Sequence, residues 1–334
     1  MSETFNLDRR QLLALGAGAA VAASQAAQAQ SESASTDGPD LSGRSILVTG
    51  SSSGFGRLGA EYYARLGAKV FATMRNVPRP EAEEIRDLAS ADGLDLSVIE
   101  IDVTSDAQVE AGVAEALAAN EGKLDVLINN AGISVGGPIE VQDMEATKLI
   151  FDTNVYGCHR MALAALPSMR AHGGGQIFNI SSQLGRLIIP GFGQYSATKF
   201  ALEAMSEQMA YELVPHGVDV TIIQPGGYPT RIWANNNANS TPLKDRTSED
   251  LLGAYPELTA GMGERTGGGS TDPMDVPRAI AEIIAMPKGT RPLRRAVHPI
   301  ARPQEAINEV STATQIAMLG ESPLGPWVKD VLER

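Results

Sequence analysis

From Ser45 onward, short apolar runs alternate with stretches whose apolar residues recur at helical spacing. SILVT (45–49), KVFAT (69–73), LSVIEID (96–102), LDVLINN (124–130), QIFNIS (176–181) and VDVTIIQP (218–225) each have the length and apolar content of a strand buried in a parallel sheet. Helical patterning fills the intervals, at about 55–66, 80–91, 105–120, 143–172 and 194–213. Strand and helix alternating at this rhythm predict an α/β fold: a doubly wound parallel sheet between two layers of helices.

After Pro225 the rhythm breaks. GGYPTRIW, NNNANS and GMGERTGGGS predict a loop-rich stretch over 226–272, with short helical pieces such as Ser248 to Leu252. An irregular insertion after the sixth strand is where a substrate lid would sit. A helix near 275–286 and a strand near 294–298 restore order, and a last helix is expected at 303–319. The resulting division is one domain over 44–300, carrying the insertion, and a helical extension over 301–334.

The front of the chain reads as an address. Asp8-Arg9-Arg10-Gln11-Leu12-Leu13 places paired arginines before a short Ala/Gly-rich apolar run, and Ala27-Gln28-Ala29 offers small residues for cleavage. Residues 1–29 thus resemble a twin-arginine export signal, which implies a periplasmic protein, with a cytoplasmic one as the alternative. Residues 30–43 are polar and predict a linker. No other segment is a candidate membrane span.

Composition narrows the partners. A net charge of -13 argues against nucleic acid or an anionic membrane surface. Cys158 is the single cysteine, so no intramolecular disulfide forms, and its place in a helix predicts a buried thiol. The four histidines lack ligand spacing, so no metal site is expected.

Two clusters carry chemistry. Thr49-Gly50-Ser51-Ser52-Ser53-Gly54-Phe55-Gly56 lies between the first strand and first helix, the context in which a glycine loop admits a pyrophosphate. Ser52 and Arg57 are further candidates for phosphate contact. At the end of the second strand Thr73-Met74-Arg75-Asn76 holds no acid for a ribose 2′-hydroxyl, and the Arg75 guanidinium suits a 2′-phosphate; NADP(H) is therefore expected over NAD(H). Asp102 and Val103 follow the third strand, where an adenine edge would be read. The second cluster is Tyr195, Lys199 and Ser182. Tyr and Lys four apart share a helix face. An ammonium near a phenol favours the phenolate, and a nearby hydroxyl can hold a carbonyl or alkoxide oxygen. That is a proton-transfer device for alcohol and ketone chemistry.

With TGSSSGFG at 49–56, NNAG at 129–132, Asn154 in DTNVYG, Ser182 in NISS, YSATK at 195–199 and PGG at 225–227, the chain resembles the short-chain dehydrogenase/reductase family over roughly 41–230. ATMRN, DTNVYG and YSATKFALEAMSE look most like its retinoid- and hydroxysteroid-handling branch. The resemblance implies a single Rossmann-type domain and an NAD(P)-dependent oxidoreductase acting on CH–OH groups. It implies Tyr195 as general acid or base, with Lys199 lowering its pKa and holding the nicotinamide ribose. Ser182 would polarise the substrate oxygen. Asn154 would sit at a distortion of the long helix and position a water in a proton relay. For the cofactor it implies Thr49, Gly50, Ser52, Ser53, Gly54, Phe55, Gly56, Arg75, Asp102, Val103, Asn129, Ala131, Gly132, Tyr195, Lys199, Pro225, Gly226 and Thr230. A homodimer or homotetramer is the assembly it implies.

Two rival readings keep the fold: a non-catalytic dinucleotide-binding or redox-sensing protein, and an epimerase. An intact Tyr-Lys-Ser-Asn set argues against the first, and the glycine spacing against the second. Ile188, Ile189, Phe192, Tyr228, Ile232 and Trp233 are candidates to line an apolar pocket for a hydrophobic alcohol or carbonyl substrate.

Overall fold

The computed structural model describes residues 38–334; the predicted export segment and most of the predicted linker lie outside the described residues. Seven strands form one sheet: β1 Ser45–Val48, β2 Lys69–Met74, β3 Leu96–Glu100, β4 Val126–Asn129, β5 Gly175–Ile180, β6 Val218–Pro225 and β7 Arg294–Val297. Their order is β3-β2-β1-β4-β5-β6-β7, and every pairing is parallel.

Strand periodicity divides the core in two. Ile46 and Val48 face one side, with Val70, Ala72, Ile128 and Phe178, and pack under α1 (Gly54–Arg65), α2 (Pro80–Asp92) and the helix Asp275–Ala285. Leu47 points the other way, with Phe71, Leu127, Ile177 and Ile222, beneath α3 (Asp106–Ala118), the helix Gly157–Ala171 and the helix Gln194–Leu213. Apolar side chains on both faces of the central strands supply the two halves of the core.

The long helix expected over 143–172 is divided. α4 (Met144–Phe151) runs into a π-helical turn, Asp152–Tyr156, before α5 (Gly157–Ala171) resumes regular pitch. The helix bearing Tyr195 and Lys199, α6, occupies 194–213 as expected.

The insertion is more ordered than its sequence suggests. Residues 232–246, with three consecutive asparagines, form α7 (Ile232–Arg246) rather than a loop. Asparagine disfavours helix because its amide competes for backbone groups. Here those amides have tertiary partners instead. Asn236 Nδ2 donates to Ser134 Oγ at 2.8 Å, Asn239 Nδ2 to the Ser134 carbonyl at 3.2 Å, and Asn237 Nδ2 to the Arg265 carbonyl at 2.9 Å. Two short helices, α8 (Glu249–Gly253) and α9 (Pro256–Thr259), lead towards α10 (Asp275–Ala285).

Both ends of the described chain pack on the domain. Leu41, inside the predicted linker, is buried, and its N–H donates to the Leu66 carbonyl at 2.8 Å. The extension forms α11 (Gln304–Leu319) and a helix the sequence pattern did not suggest, α12 (Gly325–Leu332), whose Val331 joins the core. Arg334 Nη1 donates to Asp219 Oδ1 at 2.5 Å, tying the C-terminal residue to β6. Among the described residues no helix is long and apolar enough to cross a membrane.

Candidate active site

The strand order reverses between β1 and β4, so their C-terminal ends open a crevice, the place where open α/β sheets bind ligands. A cleft of about 470 Å³ occupies it. It is bordered at one end by the loop after β1 and at the other by the insertion.

The loop after β1 contributes Gly50, Ser52, Ser53, Gly54 and Phe55 to the wall. The first turn of α1 carries no negative charge and no side-chain cap: Ser53 stands at its N-cap without a side-chain hydrogen bond, and no acid lies in the turn. Gly56 does not reach the wall. A Cβ there would lie 2.5 Å from the Gly50 carbonyl oxygen and 2.4 Å from Asn130 Nδ2, so its bare Cα lets helix and loop approach. Thr49 is also buried behind the wall, its hydroxyl accepting from the N–H groups of Asn130 and Ala131 at 3.0 and 2.9 Å.

At the ends of β2 and β3, Arg75, Asp102 and Val103 line the cleft. Arg57, expected near a phosphate, does not. Its guanidinium pairs with Glu61 and with Glu84 Oε2, the latter at 3.2 Å. After β4, Ala131 and Gly132 line the cleft, but Asn129 does not. Successive residues at a strand end point opposite ways. Asn129 turns inward, donating from Nδ2 to Asn179 Oδ1 at 2.8 Å, and Asn130 takes the cleft position, holding the Thr49 carbonyl at 2.9 Å. The doublet NN in the sequence concealed which of the two faces out.

The second cluster comes together on α6 and the elements packed against it. Tyr195, Lys199 and Ser182 all line the cleft. Lys199 is buried, donates from Nζ to the Ile180 carbonyl at 2.7 Å, and sits 5.6 Å from the centre of the Tyr195 ring. Ser182 is extended at the end of β5, and its Oγ accepts from the Leu184 N–H at 3.1 Å. Asn154 lies in the π-helical turn and is 0% exposed, so it holds the site from behind. Its Oδ1 accepts from the Ile133 N–H at 2.8 Å; its Nδ2 donates to the Ile133 carbonyl at 2.9 Å and to Thr198 Oγ1 at 3.1 Å. A Cβ on Gly132 would stand 3.3 Å from Asn154 Oδ1 and 3.8 Å from Lys199 Nζ. The segment after β4, the π-helical turn and α6 therefore meet at one point.

One residue that sets this geometry has no motif to betray it. Gln142 is buried, accepts at Oε1 from the Gln194 N–H at 3.0 Å and donates from Nε2 to the Val135 carbonyl at 2.8 Å. It thereby fixes the first turn of α6, one residue from Tyr195. Gly193, at φ +53°, packs so closely on Gln142 that a Cβ would fall 1.9 Å from Nε2.

Pro225, Gly226 and Thr230 line the cleft after β6, opposite the glycine loop. Of the apolar candidates, Ile189, Phe192, Tyr228, Ile232 and Trp233 line it too. Ile188 does not; it is 74% exposed. Tyr228 is already committed, its hydroxyl to Asp275 Oδ2 at 3.1 Å and its ring edge-on to Phe55. Burial and the nearby Asp275 and Asp272 carboxylates push its hydroxyl well above the usual phenol range. Cys158 is buried below Asn154, and burial raises its thiol to about 11.

Residues 44–241 match the family model described as short chain dehydrogenase. The chain belongs to the short-chain dehydrogenase family. It is an oxidoreductase of that family, acting on CH–OH groups with a nicotinamide dinucleotide as acceptor. It is 37% identical over 248 residues to the uncharacterized oxidoreductase YusZ of Bacillus subtilis, covering 73% of this chain and 85% of that one. It is 34% identical to 3-ketodihydrosphingosine reductase of Bacteroides thetaiotaomicron, covering 77% and 88%. With human retinol dehydrogenase 8 it shares 34% identity, covering 75% and 80%. A short-chain dehydrogenase/reductase from Burkholderia phymatum, solved in complex with NAD, superposes with a TM-score of 0.66 at 26% identity, covering 85% of this chain and 97% of that one.

Proposed function

We propose that this short-chain dehydrogenase is NADP(H)-dependent and interconverts a hydrophobic primary or secondary alcohol with its aldehyde or ketone. The observation that carries the reading is that Tyr195, Lys199 and Ser182 open into the same cleft as the glycine loop and Arg75. Bound there, the dinucleotide would supply or accept the hydride. The residues would do the rest. The uncapped first turn of α1 presents N–H groups to the diphosphate, and Arg75 meets a 2′-phosphate. Tyr195 transfers a proton to or from the substrate oxygen, and the Lys199 ammonium stabilises negative charge developing on the phenol oxygen. Ser182 donates to the substrate oxygen as it becomes an alkoxide. Asn154 acts through position, holding Ile133 and Thr198 in register with α6.

An apolar substrate is supported by Ile189, Phe192, Ile232 and Trp233 at the far end of the cleft. Relatives named for a ketosphingoid base and for retinol agree with that chemistry. The decisive experiment is Tyr195→Phe assayed on a panel of hydrophobic alcohols and ketones, with NADPH binding measured in parallel. Binding should persist while turnover falls about 10²-fold or more; undiminished turnover would refute the assignment.

Leu149, Tyr156, Leu163 and Phe200 are exposed on α4, the π-helical turn, α5 and α6. Covering such a face by a second copy is the basis for expecting a homodimer or homotetramer. The paired arginines and apolar run at 1–29 support export to the periplasm, testable by fractionation of cells expressing the intact chain and an Arg9-Arg10→Lys-Lys variant.

A further inference from the structure

At the cleft two arginines, Arg79 and Arg231, meet one carboxylate, and a third, Arg75, lines the same cleft. Arg75 follows β2, Arg79 caps α2, and Arg231 comes from across the opening, between Thr230 and α7; all three line the cleft. Glu81, in the first turn of α2, accepts from Arg79 at both oxygens, Nε to Oε2 at 2.9 Å and Nη2 to Oε1 at 3.0 Å. Arg231 Nη1 reaches the same Oε1 at 3.4 Å. Arg79 Nη1 also donates to the Arg75 carbonyl at 3.3 Å, so the cluster is continuous. Bonds from Arg79, with the charge of Arg231 adding to them, hold the Glu81 carboxyl down at about 2. Among the described residues the Arg75 side chain has no carboxylate partner.

The two contacts with Glu81 are unequal. Arg79 grips the carboxylate with two short bonds. Arg231 is 63% exposed and touches one oxygen at the limit of hydrogen bonding. An exposed ion pair of this kind contributes little, whereas a guanidinium on a phosphate dianion forms a stronger, charge-assisted bond. Of the two arginines on Glu81, Arg231 is thus the one more easily drawn onto a phosphate.

We propose that Arg231 is a specificity-determining residue for the dinucleotide: it joins Arg75 in binding the 2′-phosphate, and Glu81 opposes that binding by competing for the same guanidinium. The proposal rests on the NADP(H) reading and extends it to the opposite wall of the cleft. Because α7 begins at the next residue, a phosphate held by Arg231 ties the adenosine end of the cleft to the helix that walls the substrate end. Arg79 keeps its bidentate grip on Glu81 and holds the carboxylate in place.

The test uses two fragments lacking the nicotinamide, adenosine 2′,5′-bisphosphate and 5′-AMP, whose dissociation constants are measured by calorimetry on the full chain. Arg231→Gln should weaken the bisphosphate about fivefold or more and leave 5′-AMP within about twofold, since it removes a charge-assisted contact to one group. Glu81→Gln should tighten the bisphosphate and leave 5′-AMP unchanged. Arg75→Gln is the control for the underlying reading. If wild type binds NADPH no better than NADH, the NADP(H) reading and this proposal both fail. If wild type prefers NADPH and Arg75→Gln removes that preference, but Arg231→Gln weakens neither fragment or both equally, only the role of Arg231 is overturned. Weaker bisphosphate binding by Glu81→Gln would overturn the competition.

Discussion

Lys199 holds its ammonium 5.6 Å from the centre of the Tyr195 ring. It is anchored there by the Ile180 carbonyl, 2.7 Å from Nζ, so in the proposed mechanism the charge stays in place while the ring oxygen exchanges its proton. A buried cation that keeps one fixed partner pays its reorganisation on folding rather than during the reaction. Lys199→Met should therefore lower kcat about 10²-fold or more, in the range of lost acid–base assistance. Because the family resemblance also gives this lysine a cofactor contact, NADPH affinity should fall as well. Tyr195→Phe keeps the ring and removes only its hydroxyl, so that affinity should stay close to wild type. Measuring kcat and the NADPH dissociation constant for both variants separates the two roles. Equal loss of affinity in both would contradict the division.

Asn154 makes a different kind of contribution. It is fully enclosed and satisfies both backbone groups of Ile133 and the hydroxyl of Thr198. Asn154→Ala removes the partner of both Ile133 backbone groups, while Thr198 keeps its bond to the Tyr195 carbonyl, at a cost of about 1–3 kcal/mol. The melting temperature should fall and kcat should fall with it, while the affinity for 5′-AMP stays near wild type. An unchanged melting temperature would show that water replaces the amide without penalty.

The sheet and its helices were legible because buried parallel strands and amphipathic helices write different periods into the chain. The glycine loop and the Tyr-Lys pair were legible because they are local. What was missed depended on distant partners. The run Asn235-Asn236-Asn237 reads as a breaker until Ser134 and Arg265, far along the chain, are placed against α7. Asn129 and Asn130 are indistinguishable until the strand end decides which faces the cleft. Arg57 and Arg75 look alike as candidate phosphate ligands; Glu61 and Glu84 claim the first, and among the described residues no carboxylate claims the second. Arg231 and Gln142 matter only through neighbours that no spacing rule names.

Gln142 tests whether the first turn of α6 must be held for the reaction. Gln142→Ala removes the acceptor for the Gln194 N–H and the donor to the Val135 carbonyl. Gln142→Glu keeps the acceptor and loses only the donor. If the first turn positions Tyr195, kcat should fall in the order wild type, Glu, Ala, with the alanine variant about tenfold or more below wild type, as for a displaced catalytic group. NADPH binding should change little. Identical kcat values for the two variants would show that the contact to Gln194 does not matter to the reaction.

Cys158 offers a probe of the same region. It sits one turn beyond Asn154, its Sγ donating to the Asn154 carbonyl at 3.4 Å, and burial raises its thiol from 9.0 to about 11. The folded protein thus favours the neutral thiol more than the unfolded chain does. For a raised value the contribution to stability is complete below about pH 9, where neither state ionises, and is lost as pH climbs towards about 11. A disulfide reagent at neutral pH should find the thiol inert in the native protein and reactive after denaturation in guanidinium, since the thiolate is the nucleophile and the group is enclosed. Replacing the sulfur by Cys158→Ala should flatten the fall in melting temperature between about pH 9 and pH 11, relative to wild type. Rapid labelling of the native enzyme would mean that α5 opens around the π-helical turn on the timescale of the assay, and that the wall behind Asn154 is not closed.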